Sequence, residues 1–213
     1  MLDILFPREC VFCKKESYYY ICDECYNSYL SKYEIKNFNE KNIYSIFRYE
    51  DEIRKLLIDY KFNDKCYLEY LFEKSILKNN YLCNLIKKYD IIIPVPTHKK
   101  RKSKRGYNQT EEISNLISKD LKIQNGKDIL VKIKNLKPQS LKSAIDRKND
   151  IIGAFKVNNK EKIFNKNIIL FDDIYTTGST TKECKKVLLE NDAKNVFILT
   201  IAREFFNDNK KVR

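Results

Sequence analysis

Residues 168–181 read IILFDDIYTTGSTT, and this stretch decides the fold. Its first four residues form a short, bounded apolar run, which is typical of a buried strand in a parallel sheet. We expect the strand to end on Asp172 and Asp173 and a helix to follow over residues 180–191. A buried strand, a tight loop and a helix start together form an anion site, because free backbone N–H groups and the helix dipole point at the loop.

The predicted loop offers donors for a phosphate group. Gly178 allows a ligand to approach the backbone closely. The hydroxyl donors are Thr176, Thr177, Ser179 and Thr180. Asp172 and Asp173 suit the opposite kind of partner, either sugar hydroxyls or a divalent cation. The alternative is a turn that only caps the next helix, but capping alone does not require two adjacent carboxylates to leave a buried strand. A sugar-phosphate site is therefore predicted. A Walker A loop is excluded, because no glycine is followed after four residues by Gly-Lys-Ser/Thr.

Four cysteines near the start have the spacing C-x2-C-x8-C-x2-C. They are Cys10, Cys13, Cys22 and Cys25. Two such pairs can complete a tetrahedral thiolate site, so we predict structural zinc, with rubredoxin-type iron or two disulfides as alternatives. Asp3 and Arg8 interrupt the opening apolar residues, so we expect no signal peptide, a cytoplasmic location and reduced thiols. Cys66, Cys83 and Cys184 are predicted to be small buried apolar residues.

The 213 residues carry a formal net charge of +13, from 42 Lys and Arg against 29 Asp and Glu. This charge suits anionic ligands such as phosphates or nucleic acid, although a general bias towards Lys, Asn and Ile would also produce it. No apolar run approaches membrane-spanning length, so we expect no membrane insertion. Residues 1–40 are predicted to form a zinc-ribbon-like metal module with a core of Tyr18, Tyr19 and Tyr20, and residues 41–213 a second domain.

Strands and helices alternate along the second domain. Strands are predicted over residues 43–49, 91–95 and 196–202, and helices over 51–62, 67–77 and 111–121. Helical periodicity is clearest in the first of these helices, where the apolar residues are Ile53, Leu56, Leu57 and Tyr60. This alternation predicts an α/β fold with a parallel sheet, whose ligands bind beyond the carboxyl ends of the strands.

A basic loop follows the strand at residues 91–95. Six of the seven residues over 99–105 are Lys or Arg, and Arg105-Gly106-Tyr107-Asn108-Gln109 comes next. A solvated charge run or a nucleic-acid patch is one interpretation. We favour a diphosphate clamp in which Arg105, Asn108 and Gln109 bind the ligand, because Arg binds phosphate bidentately and a glycine, an aromatic ring and two amides at a helix start are unusual in a solvated face.

The strand–loop stretch resembles the binding motif for phosphoribosyl pyrophosphate (PRPP) in type I phosphoribosyltransferases, which is an apolar strand, two acidic residues, two variable residues and Thr-Thr-Gly. Together with Pro94-Val95-Pro96, the Arg105–Gln109 segment and the four cysteines, residues 7–203 are similar to the ComF family of competence-associated proteins. Further segments that agree are Lys61-Phe62, Gln139, Arg147-Lys148-Asn149, Gly153-Ala154-Phe155 and residues 199–203.

The resemblance implies a zinc ribbon joined to a type I phosphoribosyltransferase-like parallel sheet flanked by helices. It implies that Asp172 and Asp173 hold the ribose hydroxyls of PRPP or ribose 5-phosphate, directly or through Mg²⁺. The 5-phosphate would be held by the loop that begins with Ile174 and Tyr175 and ends at Thr180, and Arg105 would steady the departing diphosphate. Purine-salvage relatives have an acidic residue where this chain has Thr176, which argues against a purine acceptor.

Two functions follow from the resemblance and stay open. One is a protein that retains the sugar-phosphate site and serves DNA uptake in natural transformation, with single-stranded DNA and a competence helicase as partners. The other is an active phosphoribosyltransferase that acts on an unidentified acceptor and is unrelated to DNA uptake.

Overall fold

The computed structural model describes residues 7–35, 40–98, 107–134 and 150–205. In chain order the strands are β1 (Ile43–Arg48), β2 (Ile91–Pro94), β3 (Gln124–Asn125), β4 (Leu130–Lys132), β5 (Phe155–Val157), β6 (Asn167–Tyr175) and β7 (Asn195–Arg203). The longer helices are α1 (Asp51–Phe62), α2 (Leu68–Leu77), α3 (Asn80–Ile86), α4 (Gln109–Leu121) and α5 (Ser179–Glu190).

The central sheet has the strand order β1-β7-β6-β2-β3, and every pair in it is parallel. A separate antiparallel pair joins β4 to β5. The apolar half of β6 is fully buried, because helices cover both faces of the sheet, and a strand buried on both faces reads as a continuous apolar run. The predicted α/β fold class, a parallel sheet flanked by helices beside a four-cysteine group, is confirmed.

Side chains of β6 alternate between two apolar clusters. Ile169 and Phe171 pack in the cluster that contains residues of α1, α2 and α4. Ile168 and Leu170 pack in the cluster that contains residues of α5 and the β4–β5 pair. The period of two along a strand therefore sorts residues 168–171 between the two faces of the sheet. At the carboxyl end the assignment is reversed, because Ile174 packs against the first cluster and Tyr175 belongs to the second.

The predicted end of β6 is wrong. The strand continues past Asp172 and Asp173 to Tyr175, because β7 pairs with it as far as Tyr175 opposite Arg203. The two carboxylates thus lie inside a paired strand. Sequence reasoning also missed α3, whose start is capped by the Asn79 side chain accepting from the Leu82 N–H at 2.9 Å.

The cysteine-bearing segment shares its core with the sheet. After Cys22 the chain forms an α-helical turn (Asp23–Cys25), a π-helical turn (Tyr26–Leu30) and a 3-10 turn (Ser31–Tyr33). Ile21 and Leu30 from this segment are in one cluster with Phe47 and Ile53. The prediction of Tyr18 as a core residue is wrong, since 59% of it is exposed and Ile21 is buried instead. The division into domains at residue 40 stays a prediction.

None of the helices in the described ranges combines the length and the apolar character needed to cross a membrane.

Candidate functional site

The paired carboxylates lie near the carboxyl end of β6, on opposite faces of the sheet. Asp173 extends the register of Ile169 and Phe171 and faces α1. Asp172 extends the register of Ile168 and Leu170 towards α5. Each carboxylate therefore has its own surroundings, although the two residues are adjacent in sequence.

Asp173 is paired with a lysine that sequence reasoning had given no role. The Lys61 Nζ lies 2.7 Å from the Asp173 Oδ2, and the side chains are only 20% and 14% exposed. The only sequence signal for it was the Lys61-Phe62 pair, which belonged to the family resemblance without a function.

Hydrogen bonds tie the end of α1, which carries Lys61, to the start of α4. The Tyr107 hydroxyl donates to the Tyr60 carbonyl at 2.9 Å, and the Tyr60 hydroxyl donates to the Gln109 carbonyl at 3.0 Å. The Gln109 Nε2 donates to the Lys61 carbonyl at 3.5 Å. Because Tyr60 is fully buried, these bonds fix the backbone from which Lys61 reaches Asp173.

The surroundings of Asp172 favour the protonated form of its carboxyl group. Burial, together with the neighbouring Asp173, raises the pKa of Asp172 to about 8, while Lys61, the Asp173 N–H and Lys132 oppose the shift. The Asp173 N–H donates to the Asp172 Oδ1 at 2.9 Å. Behind it, burial and the Asp172 charge raise the pKa of the Cys184 thiol well above its usual value. A carboxyl of this kind accepts hydrogen bonds from sugar hydroxyls and also binds a cation that displaces its proton.

The loop after β6 turns on Gly178. Its φ of 72° is left-handed, and it forms the N-cap of α5. A Cβ at this position would overlap the phenol ring of Tyr175, which is buried below the loop. Glycine is therefore required at position 178 for two reasons: the left-handed backbone angle, and the lack of room for a Cβ above the Tyr175 ring. The Thr177 and Ser179 hydroxyl oxygens lie 2.9 Å apart, and the Thr181 hydroxyl donates to the Gly178 carbonyl at 3.2 Å.

A small pocket of about 70 Å³ lies at this loop. Its lining residues are Ile151, Asp172, Ile174, Tyr175, Thr176, Thr177, Gly178, Ser179, Thr180 and Thr181. A single water needs roughly 10–15 Å³ measured in this way, so the pocket has room for a phosphate-sized group. Of the two carboxylates, Asp172 lines it and Asp173 does not. The predicted loop residues are thus brought together around one cavity.

Asn108 and Gln109 are buried and have protein partners. The Asn108 Oδ1 accepts from the hydroxyls of Thr97 and Thr110, both at 3.0 Å, and its Nδ2 donates to the Val95 carbonyl at 3.4 Å. These bonds hold the chain after β2 against the start of α4. The ligand-binding role of both amides stays a prediction, and Arg105 lies outside the described residues.

The four cysteines converge on one point. Their Sγ atoms all lie within 4.8 Å of one another, and the Sγ atoms of Cys13 and Cys22 are 3.7 Å apart. Zn–S bonds of about 2.3 Å in a tetrahedron place sulfur atoms about 3.8 Å apart, so the donor set fits a metal ion of this size. All four are free thiols, as are Cys66, Cys83 and Cys184, which contradicts the disulfide alternative.

Local turns prepare the cysteine site. The Cys10 carbonyl accepts from the Lys14 N–H at 3.0 Å and the Cys22 carbonyl from the Tyr26 N–H at 2.9 Å, so each Cys-x2-Cys pair begins a turn. Burial raises the pKa of the Cys10 thiol, but hydrogen bonds from nearby backbone N–H groups outweigh this effect and lower the pKa to about 6. Burial and hydrogen bonds with the other three thiols raise the pKa of Cys25. Of the remaining cysteines, Cys184 is buried as predicted, whereas the prediction is wrong for Cys66, which is exposed.

Comparison with known proteins gives relatives with competence-related names, while no family model matches the chain. Competence protein F of Haemophilus influenzae is 28% identical over 162 residues, covering 74% of this chain and 71% of that protein. Competence protein ComFC of Bacillus subtilis is 28% identical over 160 residues, covering 75% and 63%. DNA utilization protein YhgH of Shigella flexneri is 30% identical over 114 residues, covering 54% of this chain and about half (49%) of that protein.

Solved structures with a similar chain trace include phosphoribosyltransferases. Orotate phosphoribosyltransferase from Aeropyrum pernix matches with a TM-score of 0.39 and 13% identity, covering 72% of this chain and 66% of that one. Phosphoribosylpyrophosphate synthetase from Mycobacterium smegmatis matches with a TM-score of 0.37 and 15% identity, covering 66% and 34%. At such scores the fold rests on the strand order and register described above. In sequence, this chain is similar to competence protein F and competence protein ComFC over about three quarters of its length.

Proposed function

We propose that the pocket at the start of α5 binds the phosphorylated ribose of PRPP or ribose 5-phosphate, and that the protein uses this site in handling DNA during uptake. The observation that carries the proposal is the pocket itself, which joins a carboxyl group at the end of a buried strand to the N-terminus of a helix through a left-handed glycine. One end of the pocket suits a hydroxylated ring and the other an anion.

The phosphate end is formed by the loop 176–180. The first turn of α5 has N–H groups with no acceptor in a preceding turn, and the helix dipole adds a partial positive charge there. Thr176 and Thr177 are exposed and present hydroxyl groups to the same space. A phosphate monoester placed there would accept hydrogen bonds from backbone and hydroxyl donors together.

The ribose end is formed by Asp172, with Asp173 on the other side of the strand. Carboxylate oxygens suit Mg²⁺, which binds hard oxygen ligands and usually keeps several waters, and these residues would hold it beside a diphosphate. When bound, Mg²⁺ neutralises diphosphate charge. Asp172 would orient the ribose by accepting hydrogen bonds from its hydroxyl groups.

The link to DNA comes from the relatives and from charge. Two of the relatives carry competence in their names and a third DNA utilization. A net charge of +13 favours polyanions, and the basic stretch 99–105 belongs to this charge although it lies outside the described residues. Single-stranded DNA is the proposed partner, with a competence helicase as the protein that presents it.

The four-cysteine group is proposed as a structural zinc site. Four sulfur donors in a closed set leave no open position for catalysis, and zinc is the common ion for such a set. Because Cys10 and Cys25 are buried in the core shared with the sheet, the metal would stabilise the packing of the whole amino-terminal segment.

Isothermal titration calorimetry with PRPP and Mg²⁺ tests the ligand. The double variant Asp172→Asn, Asp173→Asn should lose binding, because neutral amides are weaker acceptors and do not hold the cation. A matched control is Asp90→Asn, since Asp90 accepts from the Asn167 N–H at 2.7 Å at the amino end of the same strand. Equal PRPP affinity of the wild type and the double variant would exclude the site.

Competition tests the link to DNA. We expect weak, sequence-independent binding of single-stranded DNA in fluorescence anisotropy, with affinity falling by about one power of salt concentration per phosphate contacted. PRPP with Mg²⁺ should reduce this binding if the two ligands share cations. No DNA binding at low salt, combined with pyrophosphate release from PRPP and some acceptor, would favour the active phosphoribosyltransferase instead.

A further inference from the structure

We propose that Lys61 is a built-in counter-ion for Asp173, and that its ammonium group competes directly with a divalent cation for that carboxylate. The inference deepens the proposed function, because it concerns how the sugar-phosphate site acquires its metal. Lys61 lies in α1, outside the strand and loop that carry the motif. The family resemblance includes the Lys61-Phe62 pair but gives Lys61 no role at the site.

The geometry of the pair supports this role. At 2.7 Å the ammonium nitrogen is in direct hydrogen-bond contact with the Asp173 Oδ2, and both side chains are mostly removed from water. A cation bound to the same oxygen would need the position that the ammonium holds. The Lys61 ammonium group and a divalent cation at this oxygen therefore exclude one another. The apparent affinity for the cation includes the free energy needed to displace Lys61.

The backbone at Lys61 is fixed, whereas its ammonium group is carried by a flexible side chain. Tyr60, Tyr107 and Gln109 hold the end of α1 against the start of α4 through three hydrogen bonds. Lysine carries its charge on a four-carbon stem with rotatable bonds, unlike the planar fork of arginine. Lys61 can thus release Asp173 by rotating its side chain, without a movement of the helix.

A second lysine–aspartate pair nearby provides a matched control. The Lys65 Nζ lies 2.8 Å from the Asp59 Oδ2, almost the same distance, but Lys65 is 42% exposed. Substituting Lys65 changes the net charge by the same amount as substituting Lys61. Any effect of overall charge on cation binding is therefore common to both substitutions, and an effect through Asp173 is specific to Lys61.

Binding of Mn²⁺ alone, measured by the electron paramagnetic resonance of the free ion, tests the competition. Mn²⁺ prefers oxygen ligands and is a poor competitor at a four-thiolate site. Lys61→Met should bind Mn²⁺ at least about tenfold more tightly than the wild type, and Lys65→Met should differ from the wild type by less than about threefold. The gain should disappear in Lys61→Met, Asp173→Asn, which removes the carboxylate for which the two cations compete.

The wild-type protein provides a second measurement that needs no variant. Saturating Mn²⁺ should release the Lys61 amine, so its acetylation rate by mass spectrometry should rise at least about threefold, while that of Lys65 stays constant. Unchanged acetylation of Lys61 would overturn the proposal, as would equal Mn²⁺ affinities of the wild type and Lys61→Met. If PRPP does not bind to the wild type but both Mn²⁺ results hold, the proposed function fails and the role of Lys61 stands.

Discussion

Replacing Gly178 by alanine should destabilise the protein through two separable effects. The first is the backbone: a φ of 72° costs an L-residue about 1–2 kcal/mol. The second is space, because the new Cβ would overlap the ring of buried Tyr175, and forced overpacking costs about 1–3 kcal/mol. The sum is about 2–5 kcal/mol, which corresponds to a fall in melting temperature of roughly 10 °C for a chain of this length.

Gly153 separates the two effects. Its φ is 66°, but a Cβ there would meet only the flexible end of Lys134, at 3.6 Å. Gly153→Ala should therefore show the backbone cost alone, about 1–2 kcal/mol. The difference between the two variants isolates the contact with Tyr175.

Guanidinium denaturation of both variants, in buffer without chelators so that any metal at the four cysteines is retained, measures the two costs. Equal destabilisation by Gly178→Ala and Gly153→Ala would refute the argument that the loop packs on the Tyr175 ring. A third variant checks the mechanism: Tyr175→Leu shortens the side chain below Gly178, so combining it with Gly178→Ala should be less destabilising than the sum of the single changes.

Three further predictions concern the remaining parts of the molecule. Protein purified without added metal should contain about one zinc per chain by elemental analysis, and less than about half an equivalent with no iron would contradict a zinc site. The pKa of Asp172 is raised to about 8 in the folded protein, from about 4 in the unfolded chain. Between these two values the folded state binds the proton and the unfolded state does not. The free energy of unfolding of the wild type should therefore fall as pH rises from about 4 to about 8. Asp172→Asn should remove that component, so in metal-free buffer the variant should gain stability relative to the wild type between pH 5 and pH 8.5, and an unchanged difference would contradict the shift. Asn108→Ala should cost about 1–3 kcal/mol in denaturation experiments, because the Thr97 hydroxyl loses its acceptor and the Val95 carbonyl loses the Asn108 amide, whereas the Thr110 hydroxyl keeps the Val95 carbonyl; a cost below about 0.5 kcal/mol would show that water replaces the amide.

Local patterns predicted the elements that depend on local physics. In α1 the apolar residues at helical spacing, including Ile53, Leu57 and Tyr60, are all buried as predicted. The turn at Gly178 was also predictable, because a left-handed position between a strand and a helix favours glycine. These features depend on neighbours within a few residues. The anion site at this turn stays a prediction.

Features set by distant partners were not predictable. The extension of β6 through two carboxylates depends on pairing with β7, which no pattern in residues 172–175 reveals. The contact between Lys61 and Asp173 joins residues that are far apart in the sequence. Asn108 illustrates a different limit: a polar side chain in a ligand-type motif can face the ligand or the protein, and here its oxygen accepts from two protein hydroxyls.

The position of the carboxylates inside a strand changes what the acidic pair can do. Two acids at the end of a strand, in a flexible turn, could both point at one ligand. In a paired strand, consecutive side chains face opposite sides, so Asp172 lines the pocket beside α5 while Asp173 pairs with Lys61. The two carboxylates therefore have different surroundings: burial raises the pKa of Asp172, whereas Asp173 forms an ion pair with Lys61. A ligand that contacts both carboxylates must therefore bridge the carboxyl edge of the sheet.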